Sequence, residues 1–409
     1  MKKALLLGEY KIARFLPVLR ENGYTDIVVY SAIEFDAASE FDDEGVEVRL
    51  MDLNWTADDV VAVLEAERPD VAIANAYPHG QEQLPIVYGH AAARWSGRFV
   101  AHSARFAEIA CDKVSLHRTA EERGWPVPAG AVCENAQQVA AAADEAGFPL
   151  VIKEARSQAG DGRFHAASQE ELDGVLAAGL AFPAIVQTFA RGVETGIELI
   201  SADGALMRWP VVSMGPLDDG LEPTLRARVA PYELPAGASA RLDEFVTDLR
   251  ENFAPFGPWQ IDFAVVDDGD DIVVLEINPR FGGLTDLALA GTGTAPHAVF
   301  TAAALGEPLP QVESRAVTLE LPCTEVPGVT VPAHPEGAEV MEVTARRPTN
   351  RCFTNTDRMQ LITTVGDPEA GKRWIKEVDA AGLLRCSVES AFRQLDGVFE
   401  VFGRKDGAR

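Results

Sequence analysis

Three consecutive segments decide the fold: WQIDFAVV (residues 259–266), DDGDD (residues 267–271) and IVVLEINPRFGG (residues 272–283). Two apolar runs rich in β-branched residues flank an Asp/Gly cluster, which is the composition of a β-hairpin. Because side chains alternate along a strand, Glu276 and Asn278 share one face. With the turn centred on Gly269, Asp262 lies opposite Glu276 on that same face. The sequence therefore predicts two carboxylates and an amide side by side in an otherwise apolar hairpin.

Such a cluster predicts a metal site. Neighbouring carboxylates on a half-buried surface are unfavourable unless a cation or a proton neutralises them, and all-oxygen ligands suit Mg²⁺ or Mn²⁺. The predicted metal ligands are Asp262, Glu276 and Asn278. Arg280 follows two residues after Asn278, and Gly282 and Gly283 allow backbone amides to approach an anion. The alternative, a solvated strand face, would explain a lone Asp-x-Phe better than it explains this combination.

The hairpin resembles the metal-binding end of the ATP-grasp superfamily, and further landmarks of that family lie upstream in the expected order. They are a helix opened by Asp112-Lys113, a strand ending at Lys153, a loop at residues 157–162 and a hinge at residues 185–194. These matches cover roughly residues 110–295, and together they are more specific than any one motif. The resemblance implies an ATP-grasp fold of the α/β and α+β multidomain class, with ATP and Mg²⁺ as the bound groups.

The resemblance also implies a nucleotide site. Its residues would be Lys113, Lys153, Gly160, Gly162, Gln187, Phe189, Ala190 and Glu194. Lys153 would reach the α- and β-phosphates, and amides of the glycine-bearing loop would cover the β- and γ-phosphates. Residues 187–190 would run beside the adenine, and the first of them is Gln where many relatives have Glu. Glu194 would accept hydrogen bonds from the ribose hydroxyls.

The chain divides into three predicted parts. Residues 1–108 alternate strands and helices as an open parallel α/β sheet, without the Gly-x-Gly-x-x-Gly pattern of a dinucleotide site. Residues 109–308 form the ATP-grasp domain, with a small lobe at about 126–190 and a metal-bearing lobe at about 197–305. Residues 309–409, which prolines punctuate, form a small C-terminal α+β domain.

Bulk composition limits the partners. The 409 residues carry a formal net charge of −27, which repels nucleic acid and anionic membranes, so neither is an expected partner. No signal-peptide pattern and no apolar run of membrane-span length is present, so we expect a soluble cytoplasmic protein. The five cysteines lack metal-ligand spacing and are expected to be reduced packing residues.

The resemblance implies an ADP-forming carboxylate-amine ligase. Such enzymes convert a carboxylate to an acylphosphate, which an amine captures to form an amide or peptide bond, and Arg280 would stabilise the transferring phosphoryl group. Arg226 and Arg228 are predicted, with Gly282 and Gly283, to contact the substrate carboxylate. A solvated strand edge is the alternative for the two arginines. The expected partners are a small-molecule carboxylate and an amine, and the resemblance favours a homodimer.

Two other functions stay open. A biotin-carboxylase-like enzyme would activate bicarbonate as carboxyphosphate, and the length and three-part layout suit it. Those carboxylases follow the Asn-x-Arg element with Gln-Val-Glu-His, however, whereas residues 281–286 read Phe-Gly-Gly-Leu-Thr-Asp. A catalytically silent nucleotide-binding scaffold would be favoured only by a broken metal cluster, and all three predicted ligands are present. The sequence does not name the carboxylate or the amine.

Overall fold

The structure, a computed structural model, describes residues 2–32, 45–75, 82–156, 162–219, 225–266, 270–345 and 358–406. Three sequence predictions, at Gly160, Gly269 and Cys352, lie outside these residues. Within the described ranges the strands form sheets of five, four and nine strands. The predicted mixed α/β and α+β multidomain class is confirmed. No helix in this part of the chain is both long and apolar enough to cross a bilayer.

The first sheet is parallel, with the strand order β3-β2-β1-β4-β5. Its strands are β1 (Lys2–Leu7), β2 (Tyr24–Ser31), β3 (Val46–Leu50), β4 (Val71–Ala74) and β5 (Phe99–Val100). A 3-10 turn (Ile12–Arg14) and three helices join them: α1 (Leu16–Glu21), α2 (Ala57–Glu67) and α3 (Leu84–Ala92). The apolar runs of β1 and β2 reflect burial on both faces, as in other parallel sheets. This sheet confirms the predicted open parallel arrangement.

The second sheet is antiparallel and belongs to the predicted small lobe. Two helices lead into it, α4 (Ala104–Cys111) and α5 (Lys113–Arg123). As predicted, Asp112 caps α5 through the Ser115 N–H at 2.9 Å, and Gly124 ends it in the left-handed conformation. The strand order is β6-β9-β7-β8. The elements are β6 (Gly130–Cys133), α6 (Ala136–Ala146), β7 (Leu150–Glu154), β8 (Arg163–Ala166), α7 (Gln169–Ala177) and β9 (Ala184–Thr188).

The third sheet is antiparallel, with the order β15-β14-β10-β12-β13-β16-β18-β17, and β11 pairs with β10. Its first six strands are β10 (Gly192–Ala202), β11 (Ala205–Arg208), β12 (Val212–Pro216), β13 (Arg228–Ala230), β14 (Gly257–Val266) and β15 (Asp271–Asn278). Its last three are β16 (Val317–Cys323), β17 (Val340–Ala345) and β18 (Arg358–Val365). The helices in this part of the chain are α8 (Ala236–Phe253), α9 (Thr285–Thr292), α10 (Pro296–Ala304), α11 (Pro368–Ala380) and α12 (Val388–Asp406).

Strands after residue 308 continue the sheet that carries the hairpin. β13 and β16 are neighbours, with Arg228 directly opposite Glu320. On the other face of these strands, Trp374 of α11 and Leu395 of α12 pack in one core cluster with Val229. The sheet therefore includes strands from both sides of residue 308. A boundary between separately folding domains at that residue stays a prediction.

The continuity of this sheet generates a stability prediction. Trp374 is fully buried and donates its indole N–H to the Pro332 carbonyl at 2.9 Å. Trp374→Ala should therefore lower the free energy of unfolding by about 3–5 kcal/mol, as for other large-to-small core changes. Because β16 and β18 continue the sheet of β13, hydrogen exchange should become faster in both β18 and β13.

The matched control is Trp55→Ala, since Trp55 is half-buried and contacts Tyr30 in the first sheet at a centroid distance of 5.3 Å. That substitution should speed exchange in the first sheet and leave β13 and β18 unchanged. Faster exchange confined to residues after 308 in Trp374→Ala would contradict a shared cooperative unit.

Candidate active site

The hairpin brings the three predicted metal ligands together. Asp262 on β14 lies directly opposite Glu276 on β15, which confirms the predicted register. Asn278 follows on the same face, and its Nδ2 donates to Asp262 Oδ2 at 3.1 Å and to Glu276 Oε1 at 3.3 Å. An amide N–H₂ group thus bridges the two carboxylates.

The two carboxylates differ in their electrostatic environment. Burial, together with the nearby charges of Glu276 and Glu194, raises the pKa of Asp262 well above its usual range. Burial also acts to raise the pKa of Glu276, but the charges of Lys113 and Lys153 outweigh it and hold that pKa well below its ordinary value. Ionising both groups at neutral pH therefore requires additional positive charge close to Asp262.

The residues present fit a hard divalent cation. Among the described residues no group of three His, Cys, Asp or Glu side chains could hold a metal ion, and the amide oxygen of Asn278 stays the predicted third ligand. A half-turn of that amide would exchange its N–H₂ group for its oxygen and direct the oxygen toward Asp262 and Glu276. Two carboxylates and an amide oxygen match the ligand preference of Mg²⁺ or Mn²⁺.

Two lysines approach the carboxylates from the small lobe. Lys153, on β7, is buried, and its Nζ donates to the Leu275 carbonyl of β15 at 3.1 Å. Burial, reinforced by the charge of Lys113, lowers the pKa of Lys153 to about 8 despite the opposing charge of Glu276. Lys113 is the first residue of α5 and lines the same pocket as Lys153 and Gln187. The predicted pair of lysines therefore lies beside the carboxylate cluster.

The predicted adenine hinge is partly occupied by contacts within the protein. Gln187 is buried; its Nε2 lies 3.4 Å from both His117 Nδ1 and the Pro128 carbonyl, whereas its Oε1 has no partner among the described residues. Phe189 and Ala190 are half-buried between β9 and β10, and the Phe189 N–H donates to the Pro149 carbonyl at 3.1 Å. The Phe189 N–H is thus already committed, and Gln187 Oε1 is the available acceptor.

The loop predicted to cover the phosphates is described only at its end. Gly162 adopts a left-handed backbone with φ of 64°, which favours glycine, and it precedes β8. Its carbonyl accepts from the Glu154 N–H at 2.8 Å, which joins the two ends of this loop beside Lys153. The contribution of Gly160 to phosphate binding stays a prediction.

Glu194 and Arg226 form a buried ion pair with each other. Arg226 Nη2 donates to Glu194 Oε2, and Nη1 donates to the carbonyls of Gly215 and Pro216 at 3.0 Å each. Both side chains are buried, so the alternative of a solvated strand edge is wrong for Arg226. This placement favours a role for Arg226 in orienting Glu194, and direct contact of Arg226 with a substrate carboxylate stays a prediction.

Arg228 ties the loop after the hairpin to the C-terminal strands. Its Nη1 donates to the Gly283 carbonyl at 3.2 Å and lies 3.1 Å from Glu320 Oε1, which also accepts from Gln360 Nε2. Arg228 is buried as well, so a solvated edge is wrong here too. A Cβ added at Gly282 would lie 1.6 Å from Gln260 Oε1, so a larger residue at this position would displace the Gln260 side chain.

Arg280 lies in the loop between β15 and α9, where the first and third sheets meet. It is half-buried and lines a pocket with Asn75 and Ala101 of the first sheet's side and with Pro258 of β14. The predicted catalytic arginine is thus two residues beyond Asn278 in the chain. Its contact with a phosphoryl group stays a prediction.

One acidic residue of this face, Glu198, was not predicted from the sequence. It lies on β10, and its Oε1 accepts from the Gly282 N–H at 2.9 Å. Burial raises its pKa to about 8, against the opposing effect of the Gly282 N–H. The available signal was the spacing: Glu194 and Glu198 are four residues apart on one strand, so they share the face that Asp262 occupies on β14.

Comparison with known proteins supports the same fold. Residues 110–284 match the family model described as the ATP-grasp domain. The carbamoyl phosphate synthase large chain of Gemmatimonas aurantiaca is 24% identical over 317 residues, covering 74% of this chain and 28% of that relative. The formate-dependent phosphoribosylglycinamide formyltransferase of Ignicoccus hospitalis is 28% identical over 171 residues, covering 42% of this chain and 40% of that relative. The chain thus spans well under half the length of either protein.

A solved structure resembles nearly the whole chain. The N5-carboxyaminoimidazole synthetase of Staphylococcus aureus, complexed with ADP, superposes with a TM-score of 0.71 over 93% of this chain and 96% of that one, at 12% identity. Residues 110–284 thus match an ATP-grasp domain, and over 93% of its length the chain has the fold of that synthetase.

The carboxylate cluster generates a metal-binding prediction. Asp262→Asn should weaken Mg²⁺-dependent ATP binding more than about 100-fold, because even residues that only support a metal ligand contribute about 10- to 100-fold. Without metal the variant should be no less stable than wild type, since the raised pKa of Asp262 already favours its neutral form there and an amide keeps an oxygen acceptor. Calorimetry with ATP, with and without Mg²⁺, and thermal unfolding measure both quantities.

The matched control for this prediction is Asp271→Asn, the same charge change at an exposed position of β15. It should bind Mg²⁺ and ATP as wild type does. Equal losses in the two variants would contradict a specific role for Asp262.

The depressed pKa of Lys153 generates a pH prediction. Free Lys153 loses its proton above a pKa of about 8, whereas anionic phosphates beside it would restore the proton. ATP binding should therefore take up a proton at pH 9 but not at pH 7, and affinity should fall as the pH rises through 8. Calorimetry at each pH in two buffers of different ionisation enthalpy measures this uptake. Lys153→Arg stays charged, so proton uptake at pH 9 that is undiminished in this variant would contradict the assignment.

Proposed function

Because residues 110–284 form an ATP-grasp domain, we propose that this protein is an ADP-forming ligase. It would use ATP to activate a small-molecule carboxylate and couple the product to an amine. The main support is one juxtaposition: the carboxylates of Asp262 and Glu276 lie beside the ammonium groups of Lys153, which belongs to the small lobe, and of Lys113, at the start of the helix α5 that leads into that lobe. Cations of one lobe next to acidic oxygens of the other are what a metal-bound polyphosphate requires.

The charge of the whole chain makes this local arrangement necessary. A net charge of −27 repels ATP at long range, so binding depends on a local group of cations. Lys113, Lys153 and Arg280 would contact phosphate oxygens. Gln187 Oε1, buried and without a partner among the described residues, would accept from the adenine amino group. Glu194, oriented by Arg226, would accept from the ribose hydroxyls.

The reaction consists of two balanced displacements. A carboxylate oxygen attacks the γ-phosphorus of ATP, the bond from that phosphorus to the bridging oxygen breaks, and ADP leaves. The amine nitrogen then attacks the acyl carbon, and the bond from that carbon to the phosphate oxygen breaks. An amide, inorganic phosphate and a proton are released. A divalent ion held by Asp262, Glu276 and Asn278 would neutralise charge on the phosphates. Arg280 would stabilise charge on the transferring phosphoryl group and on the tetrahedral intermediate.

The named relatives support this class of reaction. One of them is formate-dependent by its name, and formate is a carboxylate. Another resembling structure is a biotin carboxylase bound to an ATP analogue, so bicarbonate stays the alternative acid. We expect small molecules as partners, a cytoplasmic location and a homodimer.

The proposal predicts which mixtures release ADP. The full-length protein should release ADP from ATP and Mg²⁺ only when both a carboxylate and an amine are present; the twenty amino acids, singly and in pairs, form the first panel. Hydroxylamine in place of the amine should trap the acylphosphate as a hydroxamate. Bicarbonate-dependent ADP release without an amino acid would instead support the carboxylase alternative. ATP binding without ADP release, in the presence of any of the amino acids or of bicarbonate, would contradict a ligase.

A further inference from the structure

A polar row crosses the third sheet beside the proposed metal site. Asn278 on β15 lies opposite Gln260 on β14, and Gln260 lies opposite Glu198 on β10. Gly196, two residues before Glu198, lies opposite Asp262, and a Cβ there would come within 3.0 Å of Asp262 Oδ1. All of these positions therefore lie on the same face of the sheet. Adjacent strands are about 4.8 Å apart, which places Glu198 about 10 Å from Asn278 along this row.

Only one of the two carboxylate oxygens of Glu198 has a hydrogen-bond partner among the described residues. The residue is 3% exposed, and Oε1 accepts from the Gly282 N–H at 2.9 Å. Its Oε2 is buried and has no hydrogen-bond partner in the described part of the chain. Gln260 Oε1, on the neighbouring strand, is likewise buried and unpaired there. Leaving such acceptors unpaired is costly, so this spot suits a ligand that carries several N–H donors.

A buried N–H donor without a partner among the described residues lies where the turn after β1 contacts α9. Lys11 and Arg14 come from the turn after β1, and both form ion pairs with Asp286, Lys11 at 2.6 Å. Their charges oppose the effect of burial on the pKa of Glu198, although burial is the larger effect and raises that pKa to about 8. Arg14 uses Nη2 for Asp286, whereas its Nη1 is buried and has no partner among residues that the structure describes.

We propose that Glu198 and Arg14 bind the head-group of an amino acid that serves as the amine substrate. The ammonium group would donate to Glu198 Oε2, and the carboxylate would accept from Arg14 Nη1. The inference rests on the proposed function, because it assigns the second substrate of that ligase. It identifies the amine as a zwitterion rather than a simple amine.

The chemistry of the two open groups selects this class of ligand. A metal cation or a simple amine would satisfy Glu198 and leave the Arg14 N–H unpaired. A simple carboxylate or a phosphate would satisfy Arg14 and leave Glu198 Oε2 without an N–H donor. An α-amino acid carries both complementary groups within one small molecule, so it can pair both.

The location suits the second displacement. Gly282 connects Glu198 to the loop that carries Arg280, and Tyr10 Oη lies 3.5 Å from the Gly282 carbonyl. An ammonium group on Glu198 would therefore lie beside the loop at which the acylphosphate is proposed to form. Phe281 of this loop stacks on His297 with a centroid distance of 4.0 Å.

The experiment separates acid activation from amine capture. Hydroxamate formation from the carboxylate substrate, ATP and hydroxylamine does not need the amino acid pocket, so Glu198→Gln should retain it within about twofold. Coupling to the amino acid that performs best in the panel should show a KM raised at least about 30-fold, the equivalent of one buried charge-assisted contact. The KM for ATP should not change. Retained hydroxamate formation also demonstrates that the variant is folded.

Two further variants sharpen the result. Arg14→Gln should raise the KM for the amino acid but not for its decarboxylated analogue, for example methylamine in place of glycine, which lacks the carboxylate. Glu67→Gln, which changes a buried carboxylate at the end of α2 that pairs with Lys3, should leave every parameter unchanged.

The outcomes distinguish the two proposals. A KM for the amino acid within about twofold of wild type in Glu198→Gln would overturn the pocket while leaving the ligase intact. A wild-type protein that forms neither hydroxamate nor amine-dependent ADP would overturn the proposed function. In that case calorimetry with each of the twenty amino acids still tests the pocket: binding that weakens at least about 30-fold in Glu198→Gln supports it, and binding that is absent or unchanged overturns it.

Discussion

The site depends on one electrostatic constraint: Asp262 and Glu276 face each other across a buried hairpin, and both cannot be charged without a compensating cation. The surrounding residues follow from it. Lysines of the small lobe stabilise the charge of Glu276, and the Asn278 amide donates to both carboxylates. The proposed metal ion would compensate the negative charge of Asp262 and Glu276. The phosphates bound to it would compensate the positive charge of the lysines.

Three parts of the chain meet at the loop after the hairpin, and each holds it through charged groups. The small lobe reaches β15 through Lys153, and the first sheet reaches α9 through Lys11 and its ion pair with Asp286. Arg228 of β13, which pairs with Glu320 of the C-terminal strand β16, donates to the Gly283 carbonyl. The loop is therefore fixed from several sides before any ligand binds. Such preorganisation is what positional and electrostatic catalysis requires.

Local patterns predicted much of this structure because they report local physics. Strand alternation around one turn gave the register of Asp262 and Glu276, and a capping Asp with a terminal Gly gave the bounds of α5. Pairings distant in sequence could not be predicted in this way. Arg228 faces Glu320 only because β13 and β16 are neighbours in the sheet, and nothing near either residue signals that.

The same distinction explains why Glu198 was overlooked and why the solvated-edge interpretation of Arg226 and Arg228 was wrong: their partners lie on other strands. The central claim remains the cation between the carboxylates. Crystallography with Mn²⁺ and a non-hydrolysable ATP analogue tests it most directly through anomalous scattering. The predicted result is a Mn²⁺ peak about 2.1 Å from oxygens of Asp262, Glu276 and a rotated Asn278 amide. A nucleotide bound in the cleft with its metal held by other residues would contradict it.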